Sequence, residues 1–313
     1  MRSDTIAPGI VRLAFAALVR CHNGGIMNAS HRTLLALLAS LSILAAPASA
    51  QELARVQASV SAIAASDGNS QRRDAILKSL SALDVTAELQ AFGEGTRAGV
   101  NIVVTLPGRE SRVILVGAHY DRVPVGQGAV DNGASCAVLI ELISAFKASP
   151  LGRYTLKFVF FDQEELGLLG SRAYLAAKSD RPAYAVNLDV FAYGDSLFAT
   201  LSRTDSVLAK ALQAAAEAQR LPVTMVPANR YPGSDHQSMM AAGIETVGVA
   251  LVDKADVEGV LAAPPSALEP GKGPRILTII HTPADTLAEV RAEQVVRAIP
   301  VVEQMIRTID RSN

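Results

Sequence analysis

The stretch Arg112-Val-Ile-Leu-Val-Gly-Ala-His-Tyr-Asp121 decides how the chain is read. An uninterrupted apolar run of strand length, with no polar residue at alternate positions, belongs to a strand covered on both faces. It breaks abruptly into His119-Tyr-Asp121, and in open α/β sheets ligands bind where strands end. Two further strands, over 154–161 and 185–189, behave alike: the first runs into Asp162-Gln-Glu-Glu165 and the second closes on Asn187-Leu-Asp189. Strands are also expected over 100–106, parted from the first by the Pro107-Gly108 turn, and over 196–201 and 246–251. Helical spacing covers two segments within 52–83, then 133–148, about 166–178, 205–219, 236–242 and a closing helix over 285–309. Strands alternating with helices predict a single α/β domain, its sheet sandwiched by helices. The stretch 253–275, with Pro264, Pro265, Pro270 and Pro274, predicts a long surface loop.

Composition agrees with one large domain. The chain has 313 residues, half of them apolar and 19% charged, which supplies a core and excludes wholesale disorder. A net charge of −1 offers no basic excess for a nucleic-acid surface. Two cysteines, Cys21 and Cys136, cannot build a disulfide framework. Ala134-Ser-Cys-Ala-Val-Leu139 reads as a packed helix start, so Cys136 is expected to be buried and structural.

The N-terminus reads as an address. Residues 33–46 form an apolar run too short for a comfortable membrane span, preceded by His31 and Arg32 and followed by the small-x-small triplet Ala48-Ser-Ala50. This is the layout of a secretory signal peptide cleaved after Ala50, with Met27 as the natural start and residues 1–26 as an over-long beginning. The expected product, 51–313, has no stable membrane span, is exported to the periplasm or beyond, and keeps three histidines: His119, His236 and His281.

Each polar strand end has a bland reading. Asp131, in Ala129-Val-Asp-Asn-Gly133, would cap a helix; Glu164 and Glu165 would sit in a helical first turn; Asp285 would be a cap or turn residue. Their accumulation argues otherwise. His, Asp and Glu without Cys is the ligand set of hydrolytic zinc or a similar divalent ion. His119, Asp131, Glu165, Asp189 and His281 are too many for one catalytic zinc but suit a carboxylate-bridged pair that activates a water. Glu164 is then left as the general base.

These residues resemble a known family. Gly117-Ala-His-Tyr-Asp121, Asp131-Asn-Gly-Ala-Ser135, Glu164-Glu-Leu-Gly-Leu-Leu-Gly-Ser171, Asn187-Leu-Asp189, Ser234-Asp-His236 and His281-Thr-Pro-Ala-Asp-Thr286 are similar to motifs of the co-catalytic zinc aminopeptidases. That family includes secreted bacterial leucyl aminopeptidases and glutamate carboxypeptidase relatives. The resemblance implies a mixed, mostly parallel sheet of about eight strands, of the phosphorylase/hydrolase-like type. It implies that His119 and Asp189 bind one zinc and Glu165 and His281 the other, with Asp131 bridging, Glu164 as base and Asp121 orienting His119. Co2+ or Mn2+ would tolerate the same ligands. It also implies a cis bond between Asp131 and Asn132, and a positioning rather than ligating role for His236.

One departure stands out: many members carry Tyr before the last histidine, to hydrogen-bond the oxyanion, and here that residue is Ile280. Tyr193 and Tyr231 are the candidate replacements, the alternative being that the metals do this work alone. The function implied is an aminopeptidase acting on peptides with a free N-terminus. The rivals are glutaminyl cyclisation on the same scaffold with one zinc, a non-catalytic binding relative, and a carboxypeptidase- or dipeptidase-like specificity set by loops.

Overall fold

The computed structural model describes residues 48–177, 181–228, 233–263 and 269–312. Met27, the apolar run 33–46 and Tyr231 lie outside the described residues, and the expected cleavage point after Ala50 falls in the first turn of a helix. Helices α1 (Ala48–Ala64) and α2 (Asn69–Ala82) lead into strands β1 (Glu88–Phe92) and β2 (Gly99–Leu106). There follow β3 (Val113–His119), α3 (Ala134–Ala148), β4 (Thr155–Phe161), α4 (Leu169–Ala177) and β5 (Tyr184–Phe191). The second half carries β6 (Ser196–Leu201), α5 (Val207–Ala218), β7 (Val223–Pro227), α6 (His236–Ala241) and β8 (Glu245–Val252). Helices α7 (Lys254–Ala262), α8 (Arg275–Ile279) and α9 (Ala292–Arg311) close the chain.

The eight strands form one mixed sheet in the order β1-β2-β4-β3-β5-β8-β6-β7. Its centre, β4-β3-β5-β8, is parallel throughout, and β6 pairs antiparallel with β8 while β2 pairs antiparallel with β4. The central strands are buried on both faces, as their continuous apolar runs require. On β3, Ile114, Val116 and Ala118 join the larger core, beneath α1, α2, α3, α5 and α9, while Leu115 joins the smaller core with Tyr174 of α4 and Met239 of α6. Phe158, Phe160 and Phe161 of β4 are fully buried, each contributing roughly 1.5–3 kcal/mol. Among the described residues, the one helical stretch long and apolar enough to cross a membrane, Ala129–Ala148, is packed inside this core.

Two details correct the sequence reading. The stretch 253–275 is not one loop: Lys254–Ala262 is helical and packs Val257 and Val260 inward. The last helix begins at Ala292, not 285, because Thr282–Arg291 forms turns and a short 3-10 segment beside residues 127–131.

Because β3, β4 and β5 run parallel, His119 and Phe161 end level with each other at one edge of the sheet, two positions beyond the Gly117–Asn187 pair, so that Asp189 reaches the same edge. A buried arginine fixes the loops leaving that edge. The Arg72 guanidinium, fully buried, donates to the carbonyls of Tyr120, Ile63 (3.3 Å), Gln127 (3.0 Å) and Gly128 (3.0 Å), tying α1 and α2 to both ends of the 120–128 loop. Among the described residues no carboxylate forms an ion pair with it; four carbonyl dipoles receive its N–H groups. Replacing Arg72 by Met strands these acceptors away from water, so urea denaturation is expected to show a loss of about 3 kcal/mol or more. Arg72→Lys is expected to recover only part, since an ammonium cannot span four carbonyls in the plane of a guanidinium. An Arg72→Met protein as stable as its parent would sink this account.

Candidate metal centre

Five loops deliver side chains to this edge. His119 is the last residue of β3, 1% exposed, and its carbonyl accepts the Cys136 thiol at 3.1 Å. Cys136 is buried as expected, and burial pushes its thiol up to about 12. Asp131 is no helix cap. Gly133 precedes α3, and Asp131 sits in an irregular turn at φ −119°, its bond to Asn132 being cis as the resemblance implied. Glu164 and Glu165 lie ahead of α4, in a turn with Gln163 and Leu168 at positive φ, so the helical-first-turn reading fails as well.

Asp189 owes its direction to a bulge. β5 pairs Leu188 with Val249 and Phe191 with Leu251, so Asp189 and Val190 together oppose a single residue of β8. Such an insertion bends the strand and re-aims its side chains. Val190, a β-branched residue, consequently sits at φ +53°, and His281 at φ +57° just beyond α8. Backbones of this kind cost of order 1–3 kcal/mol each and persist where their surroundings over-determine them.

The side chains converge on Asp131. Its Oδ1 lies 3.1 Å from His119 Nε2, which is also 3.6 Å from Asp189 Oδ1; its Oδ2 lies 3.2 Å from His281 Nε2, which is also 3.0 Å from Glu165 Oε2. Donor atoms of His119, Asp131 and Asp189 fall within 4.8 Å of one another, as do those of Asp131, Glu165 and His281, and of His119, Glu164 and Glu165. All five sequence-predicted ligands are therefore brought together, with Glu164 beside them, whereas His236 is outside these groups. Burial drives His236 down to about 4 and leaves both its ring nitrogens without partners.

The electrostatics call for cations. Burial opposes charge on His119, yet Glu164, Asp121, Asp131 and Asp189 outweigh it and hold the imidazole well above its usual range. Hydrogen bonds to Asp131 and Glu165 raise His281 to about 11. Burial works against ionised Asp131, but the two histidines keep it below the ordinary carboxylate range. Protons on two imidazoles thus do the work that metal ions would do among these oxygens, while Glu165 Oε1 and Asp189 Oδ1 are buried with no hydrogen-bond partner. Orphaned oxygens beside imidazole nitrogens, with no thiolate in the set, fit a divalent ion such as zinc.

The supports were only partly legible. Asp121 lies 3.3 Å from His119 Nδ1, as expected, and its carboxylate also accepts the backbone N–H groups of Glu164 (3.0 Å) and Glu165 (3.2 Å). Asp285, read as a cap or turn residue, stands in a turn and accepts from the backbone of Val130 (2.7 Å) and Asp131 (3.2 Å). Asn132 donates to Leu188 O (3.0 Å) and accepts from Val190 N (3.1 Å), locking the Asp131 turn to the bulge that carries Asp189. Asp235, quoted in the sequence pattern without a role, is fully buried with neither oxygen bonded, and burial lifts it to about 7. Tyr193 is not an oxyanion donor: it is 1% exposed and its hydroxyl donates to Asp256 Oδ2 at 2.7 Å.

Comparison with known proteins points the same way. The model of peptidase family M28 matches residues 101–306. Leupeptin-inactivating enzyme 1 of Streptomyces exfoliatus is 32% identical over 174 residues, 50% of this chain and 40% of that protein. A zinc aminopeptidase structure from Bacillus subtilis superposes with a TM-score of 0.55 at 25% identity, covering 67% of this chain and 50% of the other. Fimbriiglobus ruber glutaminyl cyclase shares the fold at 18% identity and a TM-score of 0.61, covering 82% of this chain and 95% of that one. The chain spans less than half the length of the first curated relatives it matches.

Asp121 and Asp285 hold the ligands' backbone without belonging to the grouped donors. Asp121→Ala and Asp285→Ala are each expected to weaken zinc binding about 10–100-fold, measured by competition with a chromogenic chelator. Affinity unchanged in both would show that the ligands hold their places unaided.

Proposed function

Because the chain belongs to peptidase family M28, we propose that it is an exported aminopeptidase that removes N-terminal residues from peptides at a pair of co-catalytic zinc ions. The observation that carries this reading is the division of Asp131, one oxygen toward His119 and Asp189, the other toward His281 and Glu165. His119 and Asp189 would hold one ion, His281 and Glu165 the other, and Asp131 would join them. Bound there, two zinc ions would polarise the scissile carbonyl and acidify a water. Relatives named as aminopeptidases and the Bacillus subtilis zinc aminopeptidase support the choice of reaction. The apolar run and small-x-small triplet ahead of Gln51 support export.

Glu164 is the carboxylate left over. Asp121 fixes its backbone, and its side chain lines the same cavity as His119, Asp131, Asp189 and His281. It takes a proton from the attacking water and delivers it to the leaving amine. Burial first, then Asp235, Asp189 and Glu165, push it up to about 10, and divalent charge at the neighbouring ligands would draw it back toward the working range. No phenol in the described residues stands beside the carbonyl position, since Ile280 precedes His281 and Tyr193 is committed to Asp256. Tyr231, the other phenol considered, lies outside the described residues.

Glu164→Ala is expected to lower peptide turnover by a factor of about 10²–10⁴ while zinc content is kept. Elemental analysis of the parent is expected to give two zinc ions per chain. Short peptides beginning with Leu or Gln, followed by mass, are expected to lose N-terminal residues stepwise, with chelator blocking the loss. A single ion, with ammonia loss confined to Gln peptides, would replace this reading by glutaminyl cyclisation. Full turnover in Glu164→Ala would remove Glu164 as the base.

A further inference from the structure

One wall of the cavity is apolar and comes from α7 and from the segment around α8 that leads into His281. Val260 of α7 and Pro270, Leu277 and Ile280 around α8 face Val190 and the grouped carboxylates across a cavity of about 190 Å³. Among the described residues the wall brings no charged side chain to the cavity. It is joined to β5 by a chain of hydrogen bonds: Tyr193 donates to Asp256 Oδ2 at 2.7 Å, and Asp256 Oδ1 accepts the backbone N–H of Ile276 at 2.9 Å. One carboxylate thus bonds the end of β5 and the start of α8 from within α7, and Tyr193 and Asp256 are 1% and 2% exposed. Arg275 lies 4.7 Å over the Tyr193 ring and pairs with Glu289, clamping the junction from the solvent side. Burial and the Asp256 carboxylate raise the phenol, which therefore remains a donor.

We infer that Tyr193 is a positioning residue: through Asp256 it holds the wall formed by α7 and α8 at a fixed distance from the metal ligands, and so sets which N-terminal side chain the enzyme accepts. The inference rests on the aminopeptidase reading and adds to it the contact that spaces the apolar wall from the proposed ligands. An uncharged wall rewards each added methylene and offers no partner to a basic or acidic side chain. Tyr193 lies four residues beyond Asp189 and three beyond Val190, so the strand end that aims a ligand also anchors the opposite wall.

The test is steady-state kcat and KM on Leu- and Ala-p-nitroanilide for the parent, Tyr193→Phe, Asp256→Asn and the double variant, with zinc content measured in each. The parent is expected to prefer Leu by about tenfold or more in kcat/KM. Each single variant is expected to lower that preference several-fold, chiefly through KM for Leu, with zinc content unchanged. The double variant should lose no more than the larger single loss, because both changes break one connection. Leu277→Ala truncates the wall without touching its anchor and is expected to lower the same ratio. A preference unchanged in these variants, or an equal fall on both substrates, overturns the inference while leaving the peptidase reading intact. A parent that releases no residue from any substrate overturns both.

Discussion

Everything at the catalytic edge depends on one electrostatic constraint: a carboxylate, Asp131, shared between two imidazoles in a buried pocket already crowded with acids. Asp121, Glu164, Glu165, Asp189 and Asp235 surround the same two histidines. Charges of one sign withdrawn from water are tolerated only when paired or bound to metal. The protein could relieve the repulsion by letting the loops spread, and it is built to prevent that. Arg72 pins the 120–128 loop, Asp285 holds the Asp131 turn, Asp121 holds the Glu164–Glu165 turn, and Asn132 ties Asp131 to the bulge at Asp189. Each contact is made to backbone, so it fixes a ligand's position without consuming the donor atoms that would meet a metal. Repulsion held in place this way is affinity for cations, prepared before any ion arrives.

The same economy accounts for most of the left-handed non-glycine backbone among the described residues; the other two such residues, Asp84 and Arg220, follow the ends of α2 and α5. Val190 and His281 stand at or beside proposed ligands and adopt left-handed φ, while Gln163 and Leu168 do so around the Glu164–Glu165 turn. Away from these loops, β3 and β4 follow their parallel register over seven residues without a shift. Regular strands deliver the ligand loops to one edge, and irregular turns then aim them. The larger core, to which α1, α2, α3, α5, α7, α8 and α9 all contribute, supplies the stability against which such turns can be maintained.

The central strands and the residues at their ends were legible in the sequence because burial on both faces leaves an unmistakable apolar run, and because His119, Asp131, Glu164, Glu165, Asp189 and His281 interrupt or follow such runs. The two strands with no individual signal, β1 and β7, are the sheet's edges. Glu88-Leu-Gln-Ala-Phe92 is mostly exposed and owes its extended form to pairing with β2, not to its own pattern. The helix over Lys254–Ala262 was masked by the prolines around it, whose density suggested a loop although none falls inside the helix. Asp285 does stand in a turn, but what its carboxylate holds was hidden, because its partners are backbone N–H groups more than 150 positions earlier in the chain, where local spacing carries no information. Tyr193 was misassigned for a related reason: a tyrosine near a ligand advertises its hydroxyl, and only the fold reveals that Asp256 has taken it.

Those last two cases separate two kinds of positioning. Asp285, Asp121 and Asn132 act on backbone of the ligand loops, so their tolerance to change is bounded by the metal geometry itself. Tyr193 and Asp256 act at one remove, through helices that touch the cavity but carry none of the proposed ligands. The Tyr193–Asp256 anchor bonds the backbone of Ile276 and of no proposed ligand, although α8 runs on into His281, whereas the ligand frame cannot be altered piecemeal. On the proposed reading, the placing of the ligands and the choice of substrate rest on different contacts, even though both hang from the end of β5. That separation lets a scaffold keep its reaction while its apolar wall varies.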